Sequence, residues 1–246
     1  MSAAPDPTGP VLELADAAIS TRDKPIFDHL DLSVAPGDFI VILGPNGAGK
    51  TTLFRAILGL DHLDRGSVRV LGEPARRGDR RIGYVPQQRI IPRGAPLTGR
   101  DLVTLGRTGT RFGLPLLRRG DKAAIDKAIA AVGGEHLARR PIGDLSGGEQ
   151  QRLRVAQAIV DEPAILLLDE PLSSLDVAHK QGIVDLAIAQ QRRGAAVLFI
   201  SHDVAPVIEV ANRALVIRGD GTHWLGAPED IEHADLHDHP HHAEHE

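Results

Sequence analysis

The chain has 246 residues and carries 28 Lys+Arg against 33 Asp+Glu, a net charge of −5 with both signs interspersed, which gives no reason to expect a nucleic-acid surface. Cysteine is absent, which excludes disulfides and thiolate metal sites and suits a reducing compartment. Hydrophobic residues make up 42% and aromatics only 3%, so the composition fits one large α/β domain, or a domain with an inserted subdomain, with a core of Leu, Val, Ile and Ala.

Residues 1–10 are small, polar and proline-rich; they are expected to be disordered, and they lack the basic start and apolar run of a signal peptide. No stretch approaches the roughly 18 apolar residues that would span a bilayer unaided. Residues 11–19 and 26–34 read as short strands of an antiparallel edge, with partial alternation at Asp28, Leu30, Leu32 and Val34, and Pro36-Gly37 turns the chain.

Residues 39–43, Phe-Ile-Val-Ile-Leu, are apolar without alternation and so predict a strand buried on both faces of a parallel sheet. Gly44, Pro45, Asn46, Gly47, Ala48, Gly49, Lys50 and Thr51 then match G-x-x-x-x-G-K-[ST]; Thr52 follows, and Leu53, Phe54, Ile57 and Leu58 continue at helical spacing to Gly59. At average residue usage the bare pattern arises by chance about once in a hundred chains of this length, and the strand and helix on either side make chance rarer still. The glycines leave backbone N–H groups pointing inward and the helix start adds its positive end, so the guest is a phosphate. Lys50 reaches the β/γ oxygens, and the Thr51 hydroxyl takes a place on Mg²⁺.

Residues 68–71 and 82–85 are further short strands. From 88 to 140 apolar residues recur at helical spacing (Leu102, Val103, Leu105; then Ala124, Ile125, Ala128, Ile129, Val132), which predicts a helical insertion with a loop near 108–120. Leu145-Ser-Gly-Gly-Glu-Gln-Gln-Arg152 opens a helix that Pro163 ends. Residues 165–168 and 195–200 are two more apolar strands, ending in Asp169-Glu170 and Ser201-His202, with a helix over 177–192 between them. Residues 215–218 and 222–225 form a terminal hairpin around Gly219-Asp-Gly221.

Three apolar strands thus end in a glycine loop, an acidic pair and a Ser-His pair, and the carboxyl ends of parallel strands are where such sheets place ligands. Asp169 is placed to hold Mg²⁺ through water, the alternative being a helix N-cap. Glu170 orients or deprotonates the attacking water, the alternative being a solvated charge. His202 reaches the γ-phosphate or is structural. Ser146, Gly147 and Gly148 at a helix start form a second anion cradle. One γ-phosphate does not need two cradles from one chain; a head-to-tail pair with two-fold symmetry would bury two nucleotides, each between one P-loop and a partner's cradle.

Together these residues resemble the ATP-binding subunit of an ABC transporter. The resemblance covers most of the chain, about 11–228: the P-loop, the signature Leu145, Ser146, Gly147, Gly148 and Glu149, a Walker B end at Asp169 and Glu170, the Q-loop Gln87, a D-loop with Ser174 and Asp176, and the switch histidine His202. It implies a P-loop NTPase of the ABC ATPase type, with a RecA-like core over 11–87 and 161–230, an antiparallel β-subdomain at its start and a helical subdomain over 88–160. It further implies catalytic roles for Glu170, His202 and Gln87, Mg²⁺ on Thr51, Gln87 and Asp169, and an ATP-closed homodimer docked on membrane permease subunits at the cytoplasmic face.

Two departures stand out. Where the family usually stacks adenine on an aromatic, Ser20-Thr21-Arg22 occurs, so that either Arg22 stacks its guanidinium or base selectivity is weak. Gln157 stands where many relatives have arginine. Within the family, residues 82–87, 96–98, 101–103 and 148–152 are similar to zinc and manganese importer subunits, which work with an extracytoplasmic binding protein. The tail, 231–246, holds His233, His237, His239, His241, His242 and His245 among acids, a set suited to Zn²⁺ or Mn²⁺ or else a solvated tail. The competing readings are an iron–siderophore or cobalamin importer ATPase, a non-transport ABC ATPase, and an unrelated P-loop kinase or GTPase. The last lacks an N-K-x-D motif and leaves Ser146-Gly-Gly148 unexplained.

Overall fold

The structure is a computed structural model that describes residues 9–21, 24–87, 91–109, 117–173, 175–202 and 205–234. Its centre is a six-stranded sheet built on the three apolar runs, β3 (Phe39–Leu43), β7 (Ile165–Asp169) and β8 (Ala196–Ile200). Every residue of these three strands is buried. With β6 (Ile82–Val85), β9 (Arg213–Ile217) and β10 (His223–Gly226) the order is β10-β9-β3-β8-β7-β6, parallel throughout except for the edge strand β10.

The lack of alternation in β3 follows from cover on both faces. Phe39, Val41 and Leu43 pack into one core with the helices α4 (Gly147–Ile159) and α5 (Val177–Arg192), and Ile40 and Ile42 pack into the other with α1 (Lys50–Ile57). Each buried side chain of this size contributes about 1.5–3 kcal/mol, so both faces must be apolar.

The opposite core is closed by a separate antiparallel sheet, order β2-β1-β4-β5, formed by β1 (Leu12–Thr21), β2 (Lys24–Val34), β4 (Arg65–Val70) and β5 (Glu73–Pro74). The strands expected at an edge therefore have a sheet of their own, and β4, which follows α1, crosses back to pair with β1 instead of extending the parallel sheet. Gly66 lies inside β4, which starts earlier than the expected 68: at φ +83° it passes a β-bulge where a Cβ would stand 2.3 Å from the carbonyl oxygens of Ala15 and Asp16. Likewise the 215–225 hairpin is an antiparallel pair, but its first strand also pairs parallel with β3. That pairing is invisible to periodicity because its partner is far away in sequence.

The helical region contributes α2 (Gly99–Thr108) and α3 (Asp121–Ala131), which pack on α4. An ion network fastens it to the sheet. Arg80, just before β6, bonds Asp161 at 2.5 Å and the Arg107 carbonyl at 3.1 Å, while Arg107 reaches both Asp161 and, at 2.9 Å, the buried Asp121. Among the described residues no helix is long and apolar enough to cross a membrane.

Candidate functional site

Because β3, β8, β7 and β6 are neighbours in one parallel sheet, the loops at their carboxyl ends converge. The loop after β3 wraps against the rest of the molecule so closely that only glycine fits. A Cβ on Gly44, at φ +144°, would lie 2.0 Å from the Ile217 carbonyl oxygen, and one on Gly49, at φ +100°, 1.9 Å from an Ile26 methyl. Gly47, at φ +79°, faces open space. Helix α1 starts at Lys50 with no side chain capping it and no acid in its first turn, which leaves its positive end to an anion.

Lys50 is 6% exposed, and its Nζ donates to the carbonyls of Gly44 (2.8 Å) and Pro45 (2.9 Å). Burial pushes its pKa down, opposed by the charges of Glu170 and Asp169. Thr51 donates its hydroxyl to Asp169 Oδ2 at 3.0 Å. Asp169 caps no helix: it ends β7, 2% exposed, and burial raises its pKa against the hydrogen bonds from Thr51 and Tyr84. Oxygen donors of this kind, a hydroxyl and a water-poor carboxylate beside a phosphate cradle, match a hard divalent cation.

Glu170 follows at φ +48°, a left-handed conformation uncommon for a side chain with a Cβ. Its N–H donates to the Ile200 carbonyl at 3.1 Å, and its own carbonyl accepts from the N–H and hydroxyl of Ser173. The carboxylate is thereby aimed between two partners: Gln87 Nε2 donates to Oε2 at 2.8 Å, and His202 Nε2 lies 2.7 Å from Oε1. The structure thus brings Lys50, Thr51, Gln87, Asp169, Glu170 and His202 together. A cleft of about 430 Å³ opens over Lys50, Thr51, Gln87 and Glu170, lined also by Thr21, Lys24, Ile26, Asn46, Gly47, Gly49, Thr52 and Gly219. None of these described lining residues is aromatic. Arg22 lies outside the described residues.

The Ser146 turn is elsewhere and does not line that cleft. Ser146 is the N-cap of α4 in a reciprocal capping box: Glu149 N–H donates to its hydroxyl at 3.3 Å, and the Glu149 carboxylate accepts from its N–H at 2.7 Å. Leu145 is buried, Ser146 exposed, a Cβ on Gly147 would meet nothing within 4 Å, and one on Gly148 would strike the His179 ring at 2.4 Å. Asp176 N-caps α5, accepting from His179 N–H at 2.9 Å. Ser174, and the tail residues His237, His239, His241, His242 and His245, lie outside the described residues; His233 falls in the final 3-10 turn, Pro228–Ala234.

Sequence reasoning gave no role to Tyr84, whose hydroxyl donates to Asp169 at 3.3 Å. Burial drives its pKa far up, so it remains a phenol and a donor. The only signal for it was its place near the end of β6, which becomes meaningful once β6 pairs with β7 in the register Tyr84↔Leu167. Ser173, the first residue of the D-loop segment 173–176, holds the Glu170 carbonyl, a contact that sequence reasoning did not foresee.

A parallel sheet with a glycine loop between strand and helix, a lysine on that loop, and a buried acid followed by an aimed glutamate defines a P-loop nucleoside-triphosphatase. Residues 27–173 match the family model described as ABC transporter. The chain is 36% identical over 210 residues to the zinc transport system ATP-binding protein TroB of Treponema pallidum, covering 85% of this chain and 79% of that protein. It is 38% identical over 196 residues to the manganese transport system ATP-binding protein MntB of Bacillus subtilis, with 78% and 77% covered. A crystal structure of a nucleotide-free ATP-binding cassette from an ABC transporter superposes with a TM-score of 0.80 at 19% identity, over 93% of this chain and 96% of that one, a likeness of fold alone. The chain belongs to the ABC transporter family, and it is the family's ATP-hydrolysing component, an ATPase.

Proposed function

We propose that this ATPase is the motor of a divalent-metal importer, working as a homodimer at the cytoplasmic face of a membrane with permease subunits and an extracytoplasmic binding protein. The observation that carries the motor is the Glu170 carboxylate, held at 2.8 Å by Gln87 and 2.7 Å by His202 beside Lys50, Thr51 and Asp169. Phosphoryl transfer to water needs mainly position and charge neutralisation. Lys50 neutralises the β/γ oxygens, with Gly44, Pro45, Asn46, Gly47, Ala48, Gly49 and Thr52 shaping the cradle. Glu170 takes the water's proton, Gln87 orients that water, and His202 contacts the γ-phosphate and steadies Glu170.

Thr51, Asp169 and Gln87 would hold Mg²⁺, which when bound neutralises phosphate charge. Leu145, Ser146, Gly147, Gly148 and Glu149, remote from the cleft of their own chain, serve the nucleotide of a partner, and the loop with Ser174 and Asp176 lies at the shared seam. The organisation supporting this is the core over 11–87 and 161–230 with its helical subdomain over 88–160.

The metal cargo is supported by likeness to proteins named for zinc and for manganese transport, 36% and 38% identical over most of this chain. An iron–siderophore or cobalamin cargo is not better supported than this one. Glu170→Gln should bind ATP normally, lose hydrolysis by about 10²–10³-fold and accumulate as a dimer on size exclusion. A monomer at saturating ATP would sink the two-fold arrangement. With the permease in vesicles, ATP should drive uptake of Zn²⁺ or Mn²⁺; uptake of neither would remove the metal reading and leave the motor intact.

A further inference from the structure

The exit from the Gln87 loop and the entry to helix α4 are fastened by one side chain outside the nucleotide cleft. Gln150 is 3% exposed. Its Oε1 accepts from the Ile91 N–H at 2.9 Å, and its Nε2 donates to the Ile91 carbonyl at 3.3 Å and to the Leu145 carbonyl at 3.2 Å. A primary amide offers one acceptor and two donors. Here the acceptor and one donor saturate both backbone groups of a residue four beyond Gln87, much as a neighbouring strand would. The other donor grips the residue just before Ser146.

Packing seals the same joint: a Cβ on Gly143 would stand 2.4 Å from the Pro92 carbonyl oxygen. Further along, the segment is held by other means, since Ile142 N–H donates to the Leu97 carbonyl at 2.8 Å and Gly99 N–H to the Arg140 carbonyl at 3.0 Å. Gln150 therefore governs only the end nearest Gln87. Separating Ile91 from the head of α4 would strand a buried amide and two backbone groups, which favours their moving together.

We propose that Gln150 is a positioning residue for ATP hydrolysis: it carries the position of the Gln87 loop into the Ser146 turn, so that nucleotide at the P-loop sets how that turn is presented to the partner's nucleotide. This rests on the two-fold reading above. Gln87 is in hand to report, since its amide already bonds Glu170. The hydrogen bonds of Gln150 join Ile91 directly to Leu145, outside the sheet.

The test compares full-length Glu170→Gln chain with the same chain carrying Gln150→Leu, an apolar side chain of similar size. ATP affinity of the monomer should stay within about twofold, while the ATP concentration for half-dimerisation should rise at least about fivefold. Hydrogen exchange of the Ile91 N–H should quicken at least about tenfold, with the Ile142 and Gly99 N–H groups unchanged. Ile91→Pro deletes the same N–H from the other side. It should reproduce the shift, and adding it to Gln150→Leu should change dimerisation by no more than about twofold further.

An unchanged half-dimerisation concentration in a Glu170→Gln chain that does dimerise overturns this inference and leaves the two-fold reading standing. Exchange quickening equally along the whole of α4 also overturns it, since Gln150 would then only stabilise the helix. A Glu170→Gln chain that never dimerises overturns both.

Discussion

Asp169 sits where a carboxylate costs the free protein stability. It is buried at the end of β7, and that burial outweighs the hydrogen bonds from Thr51 and Tyr84, so its pKa is raised. For an acid shifted upward, the penalty is absent below the unfolded value of about 4 and present in full above the folded pKa. Asp169→Asn should therefore make the nucleotide-free chain more resistant to urea at pH 7–8, the gap closing as the pH falls towards about 4, while hydrolysis is lost. Urea midpoints measured across that range decide it; identical midpoints at pH 8 would mean that the carboxylate is not desolvated. Glu170 shows the same tension in its backbone, left-handed at φ +48° and held there by Ile200 and Ser173. The identities of Lys50, Thr51, Asp169 and Glu170 were legible because each stands at a fixed place in a local motif. That Gln87 and His202 both bond Glu170 was not legible, since those contacts join residues 83 and 32 positions apart.

At the scale of elements, the P-loop is as much a packing device as a binding one. Gly44 lies against the carbonyl of Ile217 on β9, a strand that joins β3 only through the tertiary fold. Gly44→Ala adds a methyl 2.0 Å from that oxygen, at a φ that L-residues avoid. The loop should move, destabilising the chain by about 2–4 kcal/mol and weakening ATP binding more than tenfold. Chemical denaturation and a nucleotide titration check both, and wild-type values for each would show that the loop is looser than its contacts indicate. The helix over 177–192 was read from the sequence with the bounds it has, because its N-cap Asp176 and the Gly194 beyond its end are local signals. The return of β4 to the antiparallel sheet was not read, because short strands between glycines look alike whichever sheet they join.

At the scale of the molecule, the P-loop at the cleft and the exposed Ser146 turn at the head of α4 stand apart on one chain. Under the proposed two-fold arrangement that turn faces the nucleotide of a partner. The helical region that bears the turn is tied to the sheet by the ion network of Arg80, Asp161, Arg107 and Asp121. The histidine-rich tail carries residue types suited to Zn²⁺ or Mn²⁺ or else is a solvated segment. Removing residues 233–246 should leave basal hydrolysis within about twofold and change the response to added Zn²⁺. Metal titration of the intact and shortened chains separates the two cases, and equal Zn²⁺ binding would make the tail inert.

By itself the amino-acid sequence determined the elements whose cause is local: apolar runs buried on both faces, a glycine loop shaped for phosphate, caps and helix stops, and from these the membership of a nucleotide-hydrolysing family. Only the tertiary structure decided which strands are neighbours, and hence that Tyr84 closes upon Asp169, that Gln87 and His202 close upon Glu170, and that Gln150 bonds Ile91 to the head of α4. The physical reason is range. Propensity, periodicity and capping act within a few residues, whereas sheet order and side-chain hydrogen bonds between distant segments are set by how whole elements bury their apolar faces.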